Sequence, residues 1–324
     1  MTPETMSRQA ARTSQAAAPD PRRPAFSLVL CTLGRRETLP RFFDSMTRQS
    51  CEDFEVVLVD QNDPGFLDDI VDSYRDRLAI VHVRTPPGLS RARNAGLARA
   101  RGRFVAFPDD DCWYAPNTLA RARELLLRSQ SGPAVVAGRT VDAGGASSVS
   151  RFLDRPARVT RANYLTCGNS NGMFFRSEVF EEIGRFDTRL GVGAETGLHS
   201  GEETDLLLRV IGAGFVAEFW PDLRIHHEQV DTTIGATQID RARRYGRGFG
   251  ALMRKHRFSP FEVAYRLARP LLAAAFHFLR GRIPLARYKW TWARGIFEGY
   301  RAFTRLPPRR MPPPAEGRGA FSTE

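Results

Sequence analysis

Residues 103–114 read R-F-V-A-F-P-D-D-D-C-W-Y, a short apolar run followed at once by three aspartates. The run at 103–107 predicts a buried strand, because its side chains are apolar on both faces. Three similar runs and three stretches with helical spacing come before it: strands at 26–32, 54–60 and 78–83, and helices at 39–46, 66–77 and 91–102. This β-α-β-α-β-α-β order predicts an α/β fold with an open, mostly parallel central sheet flanked by helices.

Polar groups follow several of these strands at their carboxyl ends, where open sheets of this kind bind ligands. The ends carry Thr32, then Asp60-Gln61-Asn62-Asp63, then Asp109-Asp110-Asp111. Three adjacent carboxylates repel one another unless positive charge lies among them. Mn²⁺ and Mg²⁺ prefer carboxylate oxygens, with phosphate oxygens and water completing the shell. The aspartates therefore predict a metal site that holds a nucleotide diphosphate. The alternative is that they only begin turns and cap helices.

Composition excludes several classes of protein. The 324 residues are 42% hydrophobic and 26% charged, which fits neither a disordered polymer nor a membrane-embedded bundle. No apolar run reaches the 18 residues of a transmembrane helix, and the first residues lack the apolar core of a signal peptide. No two of the four cysteines form a C-x-x-C pair. Their spacing argues against a zinc cluster and favours a cytoplasmic protein. They are Cys31, Cys51, Cys112 and Cys167.

Charge and composition divide the chain into segments. The formal charge is +12, yet residues 241–324 hold 19 Lys and Arg against four acids, so the first 240 residues are slightly acidic. We predict a disordered leader over 1–24, one domain over 25–240, a basic amphipathic helical extension over 241–305, and a disordered Pro/Arg-rich tail over 306–324.

The basic extension predicts helices that lie on a membrane. Residues 258–280 are apolar with arginines at intervals, and residues 288–303 interleave aromatic and basic side chains. Such helices suit the headgroup region of an anionic membrane surface, which we expect to be contacted through residues 258–303. The alternatives are that they pack on the domain or form a dimer. No nucleic-acid-binding motif is present, so no nucleic acid is expected as a partner.

Successive motifs resemble those of glycosyltransferase family 2 over residues 26–230. They are S-L-V-L-C-T (27–32), V-V-L-V-D-Q-N-D (56–63), G-L-S-R-A-R-N-A-G-L (88–97), F-P-D-D-D-C-W-Y-A-P (107–116), G-N-S-N-G-M-F-F-R-S-E-V-F-E-E-I-G-R-F-D (168–187) and G-E-E-T-D-L-L-L-R (201–209). The resemblance implies a GT-A-like (Rossmann-like) fold, a nucleotide-sugar donor and inversion of the anomeric centre. It also implies that the domain consists of a nucleotide-sugar half over 25–115 and an acceptor half over 116–240.

By position, the resemblance also implies roles for individual residues. Asp109 and Asp111 match the metal-binding D-x-D motif, with Asp111 as the more direct ligand, and His227 matches a further ligand better than His226 does. The donor-binding positions are Thr32, Asp60, Gln61, Arg93, Asn94, Asp109 and Asp110. The family often has an acid where this chain has Gln61. The identity of the donor's nucleobase therefore stays open, with UDP favoured as the nucleotide. The alternative for Arg93 is an exposed helix arginine.

The catalytic base of the family is the second of the two acids in its G-E-D motif, which here is Glu203, preceded by Glu202. Because the chain has a glutamate there, either residue is a candidate base. The structural alternative is acidic charge at a helix N-terminus. Asp205 and Arg209 are four residues apart and can pair along a helix.

These features predict an inverting, metal-dependent glycosyltransferase that uses Mn²⁺ or Mg²⁺. It would transfer a sugar from a nucleoside diphosphate to a hydroxyl of a glycan or lipid-linked acceptor, in the synthesis of a cell-surface polysaccharide or glycolipid. We expect it in the cytoplasm, peripheral on the inner face of the cell membrane. One alternative is a non-catalytic nucleotide- or membrane-binding scaffold of the same fold. Another is a nucleotidyltransferase, although L-G-R-R-E (33–37) is a poor version of the loop it requires.

Overall fold

The computed structural model describes residues 23–128, 132–229 and 233–306. The leader predicted over 1–24 and the tail predicted over 306–324 lie outside these ranges, apart from their innermost residues. The described strands form one sheet: β1 (Phe26–Thr32), β2 (Phe54–Asp60), β3 (Ile80–Arg84), β4 (Phe104–Ala106), β5 (Cys112–Tyr114), β6 (Val135–Val141), β7 (Ala157–Arg158), β8 (Met173–Arg176) and β9 (Ala217–His227). The α-helices are α1 (Leu39–Met46), α2 (Asp68–Tyr74), α3 (Leu89–Leu97), α4 (Thr118–Leu127), α5 (Val179–Ile183), α6 (Glu202–Gly212), α7 (Ala236–Lys255), α8 (Pro260–Leu279) and α9 (Ile283–Phe303).

The first four strands form the parallel half of the sheet, in the spatial order β3-β2-β1-β4. Thr32 pairs with Asp60, so the carboxyl ends of β1 and β2 lie side by side. Every side chain of β1 is buried, because both faces of the sheet are covered. Val29 packs in the core on one face and Leu28 in the core on the other. The predicted α/β fold, a central sheet flanked by helices, is confirmed.

Beyond β4 the sheet is mixed. β8 runs antiparallel to β4 and β6, β9 runs parallel to β6, and β5 and β7 run antiparallel to β9. The prediction of a mostly parallel sheet therefore holds for the first half of the sheet and not for the second. The cause is the connection: residues 142–172, all of them described, contain no α-helix to carry the chain from β6 to a parallel neighbour.

In the described residues after β9 there are three helices, and two of them are in backbone contact. A Cβ atom added at Gly250 of α7 would lie 2.0 Å from the carbonyl oxygen of Ile296. A Cβ atom added at Gly299 of α9 would lie 1.8 Å from the carbonyl oxygen of Arg247. Real Cβ atoms do not approach a backbone so closely, so α7 and α9 pack together only because these positions are glycine.

The end of α7 is held by two buried carboxylates of the α/β domain. Lys255 Nζ lies 2.6 Å from Asp187 Oδ2 and 2.7 Å from Asp205 Oδ1, and His256 Nε2 lies 2.8 Å from the same oxygen of Asp205. Asp205 also pairs with Arg209 at 3.0 Å, as the four-residue spacing predicts. Burial alone would raise the pKa of Asp205, but His256 and the neighbouring cations lower it to about 2. Part of the extension therefore packs on the domain.

Helix α8 packs differently from its neighbours, because many of its large apolar side chains are exposed, including those of Phe261, Leu272 and Leu279. Within the described part of the chain, no helix is long and apolar enough to cross a membrane. All four cysteines lie in the described ranges, and each is buried and unpaired.

Candidate active site

The acidic cluster and His227 meet at the carboxyl edge of the sheet. Asp109, Asp110 and Asp111 follow β4, and β5 begins directly after them. Because β5 pairs antiparallel with the end of β9, Cys112 lies opposite His227 in the register. This pairing places Asp111 Oδ1 3.1 Å from His227 Nε2. Two residues that are more than a hundred positions apart in the sequence thus share one site.

The imidazole of His227 lies between two hydrogen-bond acceptors. Its Nδ1 donates to the backbone carbonyl of Glu228, and its Nε2 faces the carboxylate of Asp111. The hydrogen bond with Asp111 raises the pKa of His227. Metal-binding histidines commonly donate one ring N–H to a carbonyl and present the other nitrogen to the ion. His227 therefore has the surroundings of a metal ligand, with a cation taking the place of the Nε2 proton.

The three aspartates differ in pKa because their partners differ. Loss of solvation raises the pKa of Asp109 to about 6, and the like charges of its two neighbours contribute. Burial likewise raises the pKa of Asp110. For Asp111 the effect of burial is outweighed by the hydrogen bond from His227 and the charge of Arg35, so its pKa is lowered. Asp111 is thus the aspartate best kept ionised, as a direct metal ligand needs to be.

Arg93 of α3 connects the acidic cluster to the candidate base. Its side chain is only 2% exposed. Nη1 donates to Glu202 Oε1 at 3.0 Å, and Nη2 donates to Asp109 Oδ1 at 3.4 Å. The ring of Phe186 lies 5.3 Å from the guanidinium carbon. Arg93 is therefore not the exposed helix arginine of the alternative reading but the bridge between the two acidic parts of the site.

Glu202 and Glu203 begin α6, directly after Gly201, which has a φ of +88°. Glu202 is buried and paired with Arg93. Glu203 is partly exposed and forms no ion pair with any residue in the described ranges. Loss of solvation and the neighbouring Glu202 carboxylate raise the pKa of Glu203 well above that of an ordinary glutamate. A carboxylate with a raised pKa accepts a proton more readily, so Glu203 has the properties of a base and Glu202 those of a structural counter-ion.

The residues expected to contact the nucleoside lie at the sheet edge but hydrogen-bond to the protein. Asp60 is fully buried; its Oδ2 lies 3.1 Å from His82 Nε2, and its Oδ1 accepts from the backbone two residues later. Gln61 donates to the carbonyl of Thr32 and accepts from the N–H of Gly88. These side chains therefore join the loops after β1, β2 and β3 at this edge of the sheet.

Asn94, which was expected to bind the donor, contacts the protein itself, and so do the tryptophans of β5 and β9. The side-chain amide of Asn94 donates to the carbonyl of Phe186 at 3.0 Å and accepts from its N–H at 2.9 Å, so it ties α3 to the loop before α6. Trp113 stacks on His226 and carries an arginine over its ring, while Trp220 donates to a glutamate and lies beside two arginines. Both tryptophans are thus used within the fold.

Sequence reasoning missed Arg35. It lies in the loop after β1, and its guanidinium contacts Asp110 Oδ1 at 3.1 Å and Asp111 Oδ2 more closely still. The only signal was a pair of arginines in L-G-R-R-E (33–37) at the edge where ligands bind. Within the described part of the chain, no three acidic, histidine or cysteine side chains form a ready-made metal cage, and Arg35 and His227 already occupy Asp111. The donor chemistry of Asp109, Asp111 and His227 nevertheless fits Mn²⁺ or Mg²⁺.

Comparison with known proteins shows which family the chain belongs to. The profile of glycosyl transferase family 2 matches residues 27–184. A PGL/p-HBAD biosynthesis glycosyltransferase of Mycobacterium bovis is 30% identical over 181 residues, which are 53% of this chain and 67% of that protein. The chain belongs to glycosyltransferase family 2. The resemblance predicted from its motifs is confirmed.

Solved structures agree with the fold of this family 2 glycosyltransferase. The mannosyltransferase PcManGT from Pyrobaculum calidifontis, in complex with GDP-Man and Mn²⁺, has a TM-score of 0.57, 19% identity and 94% coverage of both chains. S. aureus TarS 1-349, in complex with UDP-GlcNAc, has a TM-score of 0.52 and 17% identity, covering 85% of this chain and 91% of TarS 1-349. At these identities the likeness establishes a shared GT-A fold.

Proposed function

We propose that this glycosyltransferase is an inverting enzyme that transfers a sugar from a nucleoside diphosphate sugar, with UDP favoured, to a hydroxyl of a glycan or lipid-linked acceptor. The observation that carries the proposal is the Arg93 bridge, which places the helix bearing Glu203 beside Asp109. The nucleotide sugars bound to TarS and PcManGT support the class of donor. The synthesis of a cell-surface polysaccharide or glycolipid is the process that such an enzyme would serve.

In the proposed reaction Glu203 accepts the proton of the acceptor hydroxyl. The acceptor oxygen forms a bond to the anomeric carbon as the bond from that carbon to the diphosphate oxygen breaks. Attack from the face opposite the leaving group inverts the anomeric centre. The raised pKa of Glu203 suits this role, because the carboxylate then holds the proton it removes.

Asp109, Asp111 and His227 would hold the divalent cation. When bound, Mn²⁺ or Mg²⁺ neutralises charge that develops on the diphosphate leaving group. The charge of the crevice favours such an ion, because its carboxyl groups outnumber its two guanidinium groups, those of Arg35 and Arg93. A net negative crevice would otherwise repel the diphosphate.

Calorimetric titration with UDP, GDP and dTDP, with and without Mn²⁺, tests the donor site. We expect one nucleotide to bind in a manganese-dependent way, and Asp111→Asn to abolish that dependence. Released nucleoside diphosphate is then measured with the matching sugar donor. Release of pyrophosphate would indicate a nucleotidyltransferase, and binding without turnover would indicate a scaffold. If no nucleotide binds, even with anionic vesicles present, the proposal fails.

We also propose that α8 rests on an anionic membrane surface. Seven of its large apolar residues are exposed, and besides Leu271 and Phe278 there are five that fall within an arc of about 60° on the helix surface. They are Phe261 (81% exposed), Tyr265, Leu272 (71%), Phe276 and Leu279 (84%). The opposite face carries Val263 and Leu267, which pack against the core of the domain. An apolar stripe turned outward on a packed helix predicts a partner that covers it.

The surrounding charge favours a lipid surface as that partner. Residues 241–324 carry 19 basic and four acidic side chains, and Arg269 and Arg280 lie on or next to α8 with exposed side chains. Arginines beside an apolar stripe suit phosphate headgroups beside acyl chains. Such a contact would hold the enzyme at the inner face of the cell membrane, close to a lipid-linked acceptor.

Co-sedimentation with vesicles of phosphatidylcholine and phosphatidylglycerol tests this contact. We expect Leu272→Ser with Leu279→Ser to lower the partition coefficient about tenfold or more, since each leucine contributes about 1.5–3 kcal/mol when buried. Leu165→Ser, an exposed leucine outside the extension, is the matched control. Equal vesicle binding by all variants would contradict the proposal. A stable dimer that does not bind vesicles would mean that the stripe contacts a second copy of the chain.

A further inference from the structure

Arg35 contacts the predicted metal ligand from the solvent side of the crevice. Its Nη1 lies between Asp110 Oδ1 and Asp111 Oδ2, and its side chain is 51% exposed. The loop that carries it is held at its base, because Thr32 Oγ1 donates to the backbone carbonyl of Arg35 at 3.2 Å. The backbone is therefore fixed beside the aspartates while the long side chain keeps room to move.

The two arginines of the crevice, Arg35 and Arg93, differ in how freely their side chains can move. Arg93 is buried, and its terminal nitrogens contact Asp109 and Glu202, so its movement would leave the buried Glu202 carboxylate without a counter-ion. Arg35 pairs with carboxylates that a divalent cation could take over. Asp111 cannot hold Arg35 and a divalent cation on neighbouring oxygens without repulsion between the two positive charges.

We propose that Arg35 is an exchangeable counter-ion that couples metal binding to donor binding. In the free enzyme its guanidinium neutralises Asp110 and Asp111 and keeps the affinity for the metal low. When the nucleotide arrives with the metal, Arg35 leaves Asp111 and binds the diphosphate, whose oxygens match the fork of a guanidinium. This inference rests on the proposed function and adds a donor-binding residue and an order of binding to it.

Manganese binding to the free protein tests the exchange without reference to activity. We expect Arg35→Met to bind Mn²⁺ alone about tenfold more tightly than the unmodified protein, because the Arg35 guanidinium no longer competes with the ion for Asp111. At saturating Mn²⁺ the same variant should bind UDP about tenfold more weakly, because a phosphate contact is lost. Arg36→Met is the matched control, since the guanidinium of Arg36 contacts Asp69 and the carbonyl of Phe66 instead.

Arg35→Lys provides a second measurement should the methionine variant fold poorly. Lysine keeps the charge but lacks the fork, so we expect the affinity for Mn²⁺ alone to stay low while UDP binding weakens. The proposal is overturned if Arg35→Met binds Mn²⁺ no more tightly, or if Arg36→Met gains affinity equally. In either case manganese-dependent donor binding and sugar transfer by the unmodified enzyme would leave the proposed function standing.

Discussion

Glu202 and Glu203 are adjacent and chemically identical, yet their surroundings give them different properties. Glu202 faces the buried guanidinium of Arg93, which compensates its charge. Glu203, one residue on, lacks such a partner among the described residues and feels the negative charge of Glu202. A neighbour of like charge raises the affinity of a carboxylate for a proton. Glu202 therefore serves as the counter-ion of Arg93, and Glu203 is the residue available for proton transfer.

Glu203→Gln should separate binding from turnover. Glutamine has nearly the same shape but does not accept the proton, so we expect kcat to fall about 10²–10⁴-fold with the Kd of the donor nucleotide little changed. In the unmodified enzyme kcat should rise with pH, with a midpoint well above the ordinary glutamate pKa of about 4.3, because only the ionised base is active. A Glu203→Gln enzyme with full activity would move the base to Glu202.

Glu202→Gln should instead lower stability. Removing the partner of a buried arginine leaves its charge uncompensated, which costs about 3–5 kcal/mol in the free energy of unfolding. Asp109 and the amide oxygen of the new glutamine reduce that cost, so we expect a value at or below the lower end. Urea unfolding of Glu202→Gln beside Glu203→Gln measures the difference. Equal stability of the two variants would contradict the assignment of Glu202 as the counter-ion.

The sequence indicates which residues belong to the site better than it indicates what surrounds them. Arg91 and Arg93 stand two positions apart in one helix, and nothing local distinguishes them. Arg91 is exposed and pairs with Glu195, whereas Arg93 is buried against Glu202. The difference arises because Arg93 lies against Glu202 and the ring of Phe186, about a hundred residues away in the sequence, whereas the partner of Arg91 is an exposed side chain. The family motif indicated Arg93, but only packing reveals why an arginine is needed there.

The site depends on pairings between strands and helices that the local sequence of neither partner predicts. The alternation of strands and helices predicted the parallel half of the sheet correctly. It did not predict that β8 and β5 would pair antiparallel with their neighbours, because three- and four-residue strands are too short to show periodicity. Yet the pairing of β5 with β9 is what brings His227 to Asp111.

The ion pairs of Lys255 with Asp187 and Asp205 join the end of α7 to the α/β domain. Lys255→Met removes one cation from Asp187 and Asp205, so we expect the free energy of unfolding to fall by about 1.5–3 kcal/mol at pH 7. An unfolded aspartate titrates near pH 3.9, whereas Asp205 titrates at about 2 in the folded protein. The stabilisation is therefore complete above about pH 5 and is lost as the pH falls towards 2.

Unfolding by urea at several pH values measures this effect. The difference between Lys255→Met and the unmodified protein should shrink as the medium becomes acidic. Lys289→Met is the matched control, because Lys289 is the only other lysine in the sequence and lies beside the ring of Tyr288. A pH-independent difference would mean that Lys255 stabilises the protein through its aliphatic stem.

At the scale of the whole molecule, charge is segregated. The first 240 residues are slightly acidic, and the strongly basic remainder includes the helix with the outward apolar stripe. Composition predicted this division, because charge can be counted along the chain. It left open whether the basic helices pack on the domain or face a membrane. The structure has α7 and α9 packed together and α7 clamped to the domain, while α8 turns apolar side chains outward.

Salt should separate the two contributions to vesicle binding. Between about 0.1 M and about 1 M salt the screening length falls from about 10 Å to about 3 Å, so headgroup attraction weakens while apolar insertion persists. We expect binding to phosphatidylglycerol-containing vesicles to decline steeply with salt, and the Leu272→Ser, Leu279→Ser variant to lose its residual binding first. Binding that does not change with salt would contradict a role for the basic side chains.

The buried cysteines make this protein unusually suited to such measurements. Burial raises the pKa of Cys31 to about 12 and that of Cys167 to about 11, and it raises that of Cys112 well above its ordinary value. Alkylating reagents and spin labels react with thiolates, which these side chains do not form at neutral pH. Once Cys51 is replaced by serine, a single cysteine introduced on α8 would therefore carry a probe without removal of Cys31, Cys112 or Cys167. The depth of that probe in a bilayer could then be measured residue by residue along the helix.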